Sequence, residues 1–166
     1  TGDIPAEIGN LVALEYLNLS QNDITGDIPA EIGNLVNLKE LKLYVNSLNG
    51  VLPGSIGNLI NLEYFNVFNN QISGRIPSDI GNMEELKKFY IHQNLFYDII
   101  PPELFELSGL IHLYLNDNDL TGEIPTNINN LQNLERLRLQ NNNLFGYLPD
   151  EICNIELDWD DQSSFN

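Results

Sequence analysis

The sequence predicts a solenoid, an elongated fold in which one short unit is stacked on itself many times. The chain of 166 residues repeats every 24 residues from Thr1, without an insertion or deletion through Ile152. Seven positions of each full repeat are always apolar, and a unit this short buries so many side chains only against neighbouring copies. Seven of the eight prolines also share one phase of the period: Pro5, Pro29, Pro53, Pro77, Pro101, Pro125 and Pro149.

The second repeat shows how one unit is organised. Its invariant apolar positions are Ile28, Ile32, Leu35, Leu38, Leu41, Leu43 and Leu48. This spacing is neither helical nor strictly alternating, and only the Leu41–Leu43 portion alternates as a strand does. A short strand is therefore predicted there, with Leu41 and Leu43 turned inward and Lys42 and Tyr44 turned outward.

An asparagine follows the predicted strand in each repeat. A buried amide at a tight bend both donates to and accepts from backbone groups that otherwise lack partners. We therefore interpret this column as structural, in preference to a polar binding stripe. Its members are Asn22, Asn46, Asn70, Asn94, Asn118 and Asn142.

These features resemble the leucine-rich repeat, L-x-x-L-x-L-x-x-N-x-L. Residues 38–48, LKELKLYVNSL, fit that motif at every position, and the following N-G-V-L-P is similar to the L-x-G-x-I-P extension of the plant-type subclass. The resemblance implies an α/β solenoid that forms a right-handed arc with a parallel concave β-sheet. It also implies a second short strand along the G-x-I-P segment and short helical turns on the convex side, formed by I-G-N-L.

The composition restricts the possible partners. The chain has 24 acidic and 7 basic residues, for a formal net charge of −17. Such a chain is repelled by nucleic acids and anionic membranes, so we expect neither as a partner. No apolar run approaches the roughly 18 residues of a membrane-spanning helix, so we expect no membrane insertion. The first residues already lie within the repeat pattern, which indicates part of a longer protein.

The outward strand positions form a predicted binding surface. The five outward and rim positions of every full repeat together hold six of the seven basic residues and five carboxylates, a formal charge of +1. That charge rises to +3 if both histidines are protonated, whereas one basic and nineteen acidic residues give the rest of the chain −18. Tyrosine and arginine commonly anchor interfaces. The predicted ligand-binding residues are Lys42, Tyr44, Tyr64, Phe68, Lys88, Tyr90, His92, Tyr114, Arg136 and Arg138.

A purely structural interpretation explains part of this pattern. Glu15, Lys39, Glu63 and Lys87 share one phase, and opposite charges on adjacent strands attract by about 0.2–1 kcal/mol per pair. Aromatic residues also suit strands for steric reasons. The charge ladder leaves the remaining four cations and the central aromatic run unexplained, so we favour binding for the middle of the face.

A second surface lies along the G-x-I-P segment. Its outward positions are usually Thr, Ser, Asp or Glu, but they become Tyr97 and Ile99 in one repeat, and Phe145 and Tyr147 in another. The first of these repeats is also the least regular, with Asp98 in place of glycine. A lateral contact patch and simple drift of one repeat both remain open.

The end of the chain departs from the repeat. We divide the chain into a repeat array over residues 1–152 and a closing segment over 153–166, in which Leu157 and Trp159 are predicted to cover the last core layer. Cys153, the single cysteine, cannot form a disulfide within this chain. The resemblance implies that Cys153 is half of a disulfide cap whose partner lies beyond Asn166, which would make the segment an incomplete cap. An inert buried thiol is the alternative.

No catalytic or metal-binding pattern is present. Histidine pairs with ligand spacing are absent, and the acidic tail misses the calcium-loop spacing, so we predict no enzyme activity, metal or cofactor. The carboxylates of that tail are Glu156, Asp158, Asp160 and Asp161. We expect a solvated terminus there.

Three functions remain for testing. The resemblance extends to extracellular plant-type leucine-rich repeat proteins, including receptor-kinase ectodomains and polygalacturonase-inhibiting proteins, which implies a secreted or cell-surface protein. The first hypothesis is a non-catalytic module that binds a protein or peptide on the concave face. The second is binding of a wall or matrix polysaccharide. The third, ice binding, needs a regular Thr or Asn column, and the Thr phase is broken by Asn49, Ser73, Tyr97 and Phe145.

Overall fold

The computed structural model describes residues 1–154 of the chain. It contains short parallel strands and five-residue 3₁₀ helices that alternate along the repeat. The twelve strands are β1 (Gly2–Asp3), β2 (Tyr16–Asn18), β3 (Ile24–Thr25), β4 (Glu40–Lys42), β5 (Tyr64–Asn66), β6 (Ser73–Gly74), β7 (Lys88–Tyr90), β8 (Leu95–Ile99), β9 (His112–Tyr114), β10 (Asp119–Gly122), β11 (Arg136–Arg138) and β12 (Asn143–Leu144).

The main sheet takes one strand from each repeat. Its order is β2-β4-β5-β7-β9-β11, entirely parallel, and its register joins equivalent residues of adjacent repeats. A second, lateral sheet holds β6-β8-β10-β12, and β1 pairs with β3. Both the concave sheet and the second strand of the repeat are as predicted, which confirms the leucine-rich-repeat solenoid. The strand of the second repeat is assigned to Glu40–Lys42, one residue before the predicted segment, although its hydrogen bonding continues from Leu43 N to Asn66 O at 2.8 Å.

Each 3₁₀ helix begins directly after one of the seven prolines that recur every 24 residues. The ring holds the proline φ near −65° in an extended backbone, and its carbonyl then accepts the first hydrogen bond of the helix. In the second repeat this bond runs from Ile32 N to Pro29 O at 3.0 Å. The helices span Ala6–Asn10, Ala30–Asn34, Gly54–Asn58, Ser78–Asn82, Pro102–Glu106, Thr126–Asn130 and Asp150–Asn154.

The apolar positions form one continuous core between the sheets and the 3₁₀ helices. All seven invariant positions of the second repeat are at most 3% exposed. Each fully buried side chain of this size contributes about 1.5–3 kcal/mol. Phe105, which stands where the first four repeats have glycine, is also buried in this core at 1% exposure. The irregular repeat therefore keeps the common core and adds an aromatic ring to it.

The asparagine column is confirmed as structural. Asn70 donates from Nδ2 to Leu43 O at 3.1 Å in the preceding repeat and to Val67 O at 3.0 Å in its own repeat. Its Oδ1 accepts from Leu48 N at 3.0 Å. The same three contacts recur from Asn46 to Asn142, so each amide joins two successive repeats. The carbonyls Leu43 O, Val67 O and Ile91 O each accept from the asparagines of two neighbouring repeats.

The residue before each of these asparagines adopts a left-handed backbone conformation. Its φ lies between 54° and 57° in every full repeat, and the bend turns the chain out of the concave sheet. Asparagine tolerates this region, whereas a β-branched side chain there is strained. Val45, at φ 55°, is the β-branched member of a column that includes Asn69 and Asn141.

Val45→Asn should therefore stabilise the protein by about 1 kcal/mol through relief of the left-handed strain. The measurement is the free energy of unfolding in urea, followed by circular dichroism. Val12→Asn is the matched control, because Val12 is 54% exposed and does not have a positive φ. Equal effects of the two substitutions would show that the backbone of Val45 carries no recoverable strain.

The C-terminal predictions are only partly testable. Cys153 is exposed on the last 3₁₀ helix, so the alternative of an inert buried thiol is wrong. The predicted closing strand at Leu157 and Trp159 and the acidic tail lie outside the described residues. The division at residue 152 stays a prediction. Among residues 1–154, no helix is long and apolar enough to cross a membrane.

Candidate functional site: the concave groove

The concave face is organised in columns because parallel strands in register stack equivalent side chains about 4.8 Å apart. The middle residue of each strand points into the core, and its two neighbours point to the concave side. A shallow groove of about 500 Å³ lies on this face. We call it the concave groove; its lining residues are Asn18, Lys42, Tyr44, Tyr64, Asn66, Phe68, Tyr90, His92 and Tyr114.

The structure places all ten predicted ligand-binding residues on this one face, and seven of them line the groove. Lys88 lies instead in an adjoining cleft of about 220 Å³ beside Tyr64. The guanidinium of Arg138 lies over the ring of Tyr114, with Cζ 4.4 Å from the ring centroid. Arg136 lies at the start of β11, paired in register with His112.

Three rings stack in a row across adjacent repeats. The rings of Tyr44 and Phe68 have centroids 5.2 Å apart and are inclined by 15°; those of Phe68 and His92 are 4.7 Å apart and inclined by 2°. We call Tyr44, Phe68 and His92 the aromatic column. Each such pair contributes about 0.5–1.5 kcal/mol beyond its buried area. The stacking fixes the ring orientations before any ligand arrives.

A second group of rings forms the floor of the groove. The rings of Tyr90 and Tyr114 stack with centroids 4.5 Å apart, and Tyr64 meets Tyr90 edge-on at 5.4 Å. The Tyr90 hydroxyl forms a 2.6 Å hydrogen bond with Nδ1 of His112. We call Tyr64, Tyr90 and Tyr114 the tyrosine cluster. Its packing and hydrogen bond hold a rigid, amphipathic surface.

Sequence reasoning missed the asparagines of the groove. Asn66 is only 4% exposed; it donates to the Tyr64 hydroxyl at 2.8 Å and accepts from Phe68 N at 3.1 Å. Asn18 lines the opposite end of the groove. Both occupy an outward strand position, which period-two alternation predicts, but charge and aromaticity alone do not single them out. Asn66 positions both ring systems of the groove.

Three lysines on the face have carboxylate partners. Nζ of Lys39 lies 2.7 Å from Glu15, and Nζ of Lys87 lies 2.6 Å from Glu63, which confirms the predicted charge ladder. Lys42 contacts Glu40 at 2.5 Å and lies over the Tyr64 ring. Exposed pairs of this kind contribute at most about 1 kcal/mol. The pairing with Glu40 on the same strand thus accounts for part of the placement of Lys42, which the charge ladder does not include.

The groove histidines stay neutral near pH 7. Burial, and secondly the positive charge of Arg138, lower the pKa of His92 to about 4. Burial, followed by the charges of Lys88 and Arg136, also lowers the pKa of His112. Burial raises the pKa of the Tyr90 hydroxyl, which therefore remains protonated. The face consequently keeps a formal charge near +1, because the histidines do not add to it.

The lateral sheet exposes the second surface. Tyr97, Ile99, Phe145 and Tyr147 are between 50% and 95% exposed. Asp98, at φ 72°, adopts the left-handed conformation that glycine supplies in the other repeats, and its Oδ2 lies 2.7 Å from Nε of Arg75. The ion pair anchors this bend. Whether the surface is a contact patch stays a prediction.

Within residues 1–154, no group of three or more His, Cys, Asp or Glu residues is placed to hold a metal ion. Both histidines of the concave face contact tyrosine rings: His112 stacks on Tyr90, and His92 meets Tyr114 edge-on. The arrangement offers rings, amides and cations for binding. It offers no converging acid, base and nucleophile.

The parallel, in-register stacking of 24-residue units defines the class of solenoid repeat proteins. Family models describe residues 2–97 as a leucine-rich repeat region and residues 109–131 and 133–155 as leucine-rich repeats. The chain belongs to the leucine-rich repeat family. No curated protein matches it.

Solved structures of plant receptors resemble the chain over nearly its whole length. The ectodomain of the Arabidopsis thaliana receptor kinase GASSHO1/SCHENGEN3, in complex with CASPARIAN STRIP INTEGRITY FACTOR 2, has 35% identity and a TM-score of 0.90 over 93% of this chain. The Arabidopsis receptor kinase HAESA, in complex with the peptide hormone IDA and the co-receptor SERK1, has 34% identity and a TM-score of 0.91 over 93%. The chain spans only 18% and 26% of those two chains.

A plant ice-binding protein is a further structural relative. It has 29% identity and a TM-score of 0.81 over 85% of this chain, which spans 46% of that protein. The repeat architecture is therefore shared by proteins described by different binding properties. The binding property of this chain therefore has to be inferred from the side chains on each of its surfaces.

Proposed function

We propose that the chain is a non-catalytic recognition module of a secreted or cell-surface protein, and that its concave groove binds a protein or peptide. The observation that carries this proposal is the preformed groove, in which seven predicted binding residues meet around stacked rings. The two plant receptors described above are bound to a peptide hormone or a named factor, which supports the same class of ligand.

The dimensions of the face suit an extended peptide. Six strands about 4.8 Å apart span about 24 Å, and an extended chain covers that distance with about seven residues at 3.3 Å each. The face is also the part of the surface that departs from the acidity of the chain, with a formal charge of +1 against −18 elsewhere. A negatively charged ligand therefore meets less electrostatic repulsion there than on the remaining surface.

The chemistry of the groove supports binding without catalysis. Burial raises the pKa of the Tyr90 hydroxyl in the groove, so this hydroxyl is protonated. The imidazole of His112 is hydrogen-bonded to this hydroxyl, but the raised pKa of Tyr90 keeps the hydroxyl protonated, so it is not an activated nucleophile. The residues thus provide contact area and hydrogen bonds, which is what hot spots at interfaces need.

Replacing Tyr44, Phe68 and Tyr90 by alanine together should weaken ligand binding about hundredfold, because each ring contributes about 1 kcal/mol of contact energy. The probe is a phage-displayed library of random twelve-residue peptides, panned on the wild-type chain. Affinities of synthetic peptides for both proteins are then measured by calorimetry. Circular dichroism and urea unfolding establish that the variant is folded.

The matched control replaces the exposed lateral rings Tyr97, Phe145 and Tyr147, which are again two tyrosines and one phenylalanine, by alanine. Peptides selected on the wild type should bind this control unchanged. Equal binding to both triple variants would remove the concave groove as the site, and selective loss in the lateral variant would transfer it to the lateral sheet.

The polysaccharide alternative is tested with the same variants. Stacked tyrosines with asparagine amides also suit sugar rings, and an oligosaccharide array separates the two ligand classes. The peptide proposal would be replaced if the chain bound an oligosaccharide and no peptide, and if this binding were lost in the groove variant. Thermal hysteresis in freezing solutions tests the ice-binding alternative, for which the required regular Thr column is broken.

A further inference from the structure

Two buried carboxamide oxygens on the concave face, Oδ1 of Asn116 and Oε1 of Gln140, have no hydrogen-bond partner among the described residues. They occupy the same repeat position as Tyr44, Phe68 and His92, so they continue the aromatic column onto the next two repeats. Nδ1 of His92 is also buried without a partner. Buried polar atoms without a hydrogen-bond partner are few in native proteins. Three of them at equivalent positions of consecutive repeats indicate a polar subsite.

The orientation of the Asn116 amide is determined by its neighbour. Its Nδ2 donates to Oδ2 of Asp117 at 2.6 Å, and a carboxylate only accepts hydrogen bonds. The oxygen and nitrogen of the amide therefore cannot exchange places without losing this bond. Asn116 is 5% exposed, so its oxygen is an acceptor that bulk water does not satisfy.

The electrostatic surroundings are compatible with an uncharged donor. The guanidinium of Arg138, on β11, lies over the ring of Tyr114, on β9. Its positive charge lowers the pKa of the nearby His92, second to the effect of burial. Asp117, which has the opposite effect, is engaged by the amides of Asn116 and Asn141 at 2.6 Å each. With a positive and a negative group both beside the column, neither sign of ligand charge is selected, and an uncharged N–H donor is compatible with both groups.

The spacing of the two backbones favours one chemical group, provided that the longer Gln140 side chain rotates to bring its oxygen to the same height as that of Asn116. Asn116 and Gln140 follow adjacent strands, which lie about 4.8 Å apart. A carboxamide nitrogen donates two hydrogens about 120° apart, and at N···O distances of about 2.9 Å its two acceptors are about 5 Å from each other. A hydroxyl group has only one hydrogen to donate, so it cannot bridge both oxygens.

We propose that the ligand of the concave groove is a peptide with an Asn or Gln side chain whose carboxamide nitrogen donates to both Asn116 Oδ1 and Gln140 Oε1. A planar or apolar residue of the same peptide covers the aromatic column. This inference rests on the proposed peptide-binding function. Because the two oxygens are covered in the free protein, a rotation of the half-buried Gln140 side chain accompanies binding. The distance from these two oxygens to the middle of the aromatic column corresponds to about three or four residues of an extended peptide.

The test uses the displayed twelve-residue library on the full chain. Among clones that no longer bind the Tyr44, Phe68 and Tyr90 triple variant, we expect Asn or Gln to be enriched three or four residues from an aromatic or aliphatic residue. In a synthetic peptide of that sequence, replacing the Asn or Gln by Leu should weaken binding 10- to 100-fold. Gln140→Leu in the protein should weaken the parent peptide similarly, and Gln71→Leu, an exposed position outside the groove, should not.

The decisive result is the coupling between the two changes. On the Gln140→Leu protein, the peptide substitution should weaken binding clearly less than it does on the wild type, because one of the two hydrogen bonds of the carboxamide is already absent. Fully additive losses, or groove-dependent clones without Asn or Gln enrichment, would overturn the carboxamide subsite and leave peptide binding intact. Clones that bind the triple variant as well as the wild type would instead overturn the proposed function. The peptide substitution alone decides the outcome if Gln140→Leu does not fold.

Discussion

Asn94→Ala is expected to destabilise the protein by about 4 kcal/mol. Asn94 is 6% exposed; its Oδ1 accepts from Ile72 N at 3.0 Å, and its Nδ2 donates to Val67 O at 2.9 Å and Ile91 O at 3.1 Å. Alanine leaves the buried Ile72 N–H unpaired, at about 1–3 kcal/mol. It also removes one of two hydrogen bonds from each carbonyl, at about 0.5–1.5 kcal/mol each, because Asn70 still donates to Val67 O and Asn118 still donates to Ile91 O. The loss is a large part of the stability of a domain of ordinary size, about 5–15 kcal/mol.

The measurements are the urea unfolding curve and the hydrogen exchange of the Ile72 amide, which should lose its protection in the variant. Asn22→Ala is the matched control. Asn22 occupies the same column, but it is exposed and donates to Leu19 O and Ser20 O within its own repeat. We expect it to cost less than about 1 kcal/mol. Similar destabilisation by the two substitutions would contradict the proposed role of the column in joining repeats.

Gly57→Ala is expected to cost about 3 kcal/mol or more, because there is no room for a methyl group between two stacked 3₁₀ helices. An added Cβ would lie 2.2 Å from the carbonyl oxygen of Asp79 and 2.7 Å from its Cβ. The obstacle is mainly backbone, so the repeats themselves would have to move apart, which overpacking penalises by about 1–3 kcal/mol or more. The change is measured as the midpoint of urea or thermal unfolding.

Gly109→Ala provides the comparison for this substitution. The nearest atoms to its added Cβ are backbone oxygens at 3.7 and 3.8 Å, an ordinary contact distance, and its φ is not positive. We expect no loss, and a small gain from the reduced freedom of the unfolded chain. If Gly57→Ala were as stable as Gly109→Ala, the close packing of the convex turns would have no energetic consequence.

These two predictions bear on the groove as well as on stability. The asparagine column holds the bend that follows each concave strand, and the glycine contact sets the separation of the repeats on the opposite side. Together they determine how closely the rings of the aromatic column approach each other. Variants at either place that remain folded should therefore also show weaker ligand binding than the wild type.

The concave face was predictable because the repeat period is constant and strand side chains alternate. Lys42, Tyr44 and Tyr90 could be assigned to one surface from their phase alone, since a parallel in-register sheet brings equal phases together. The pairing of Lys42 with Glu40 was not foreseen, because the two residues share a strand and only the rotamers bring their charges into contact.

The sequence by itself determined the period, the buried columns, the structural asparagines and the surface on which the rings gather, because each of these depends only on a residue's place within a repeat of constant length. The tertiary structure alone decided the left-handed bend at Val45, the close approach at Gly57, the ring-to-ring geometry and the unpartnered oxygens of Asn116 and Gln140. The physical reason is that these features depend on atoms of the neighbouring repeat and on side-chain rotamers, neither of which a repeat position specifies.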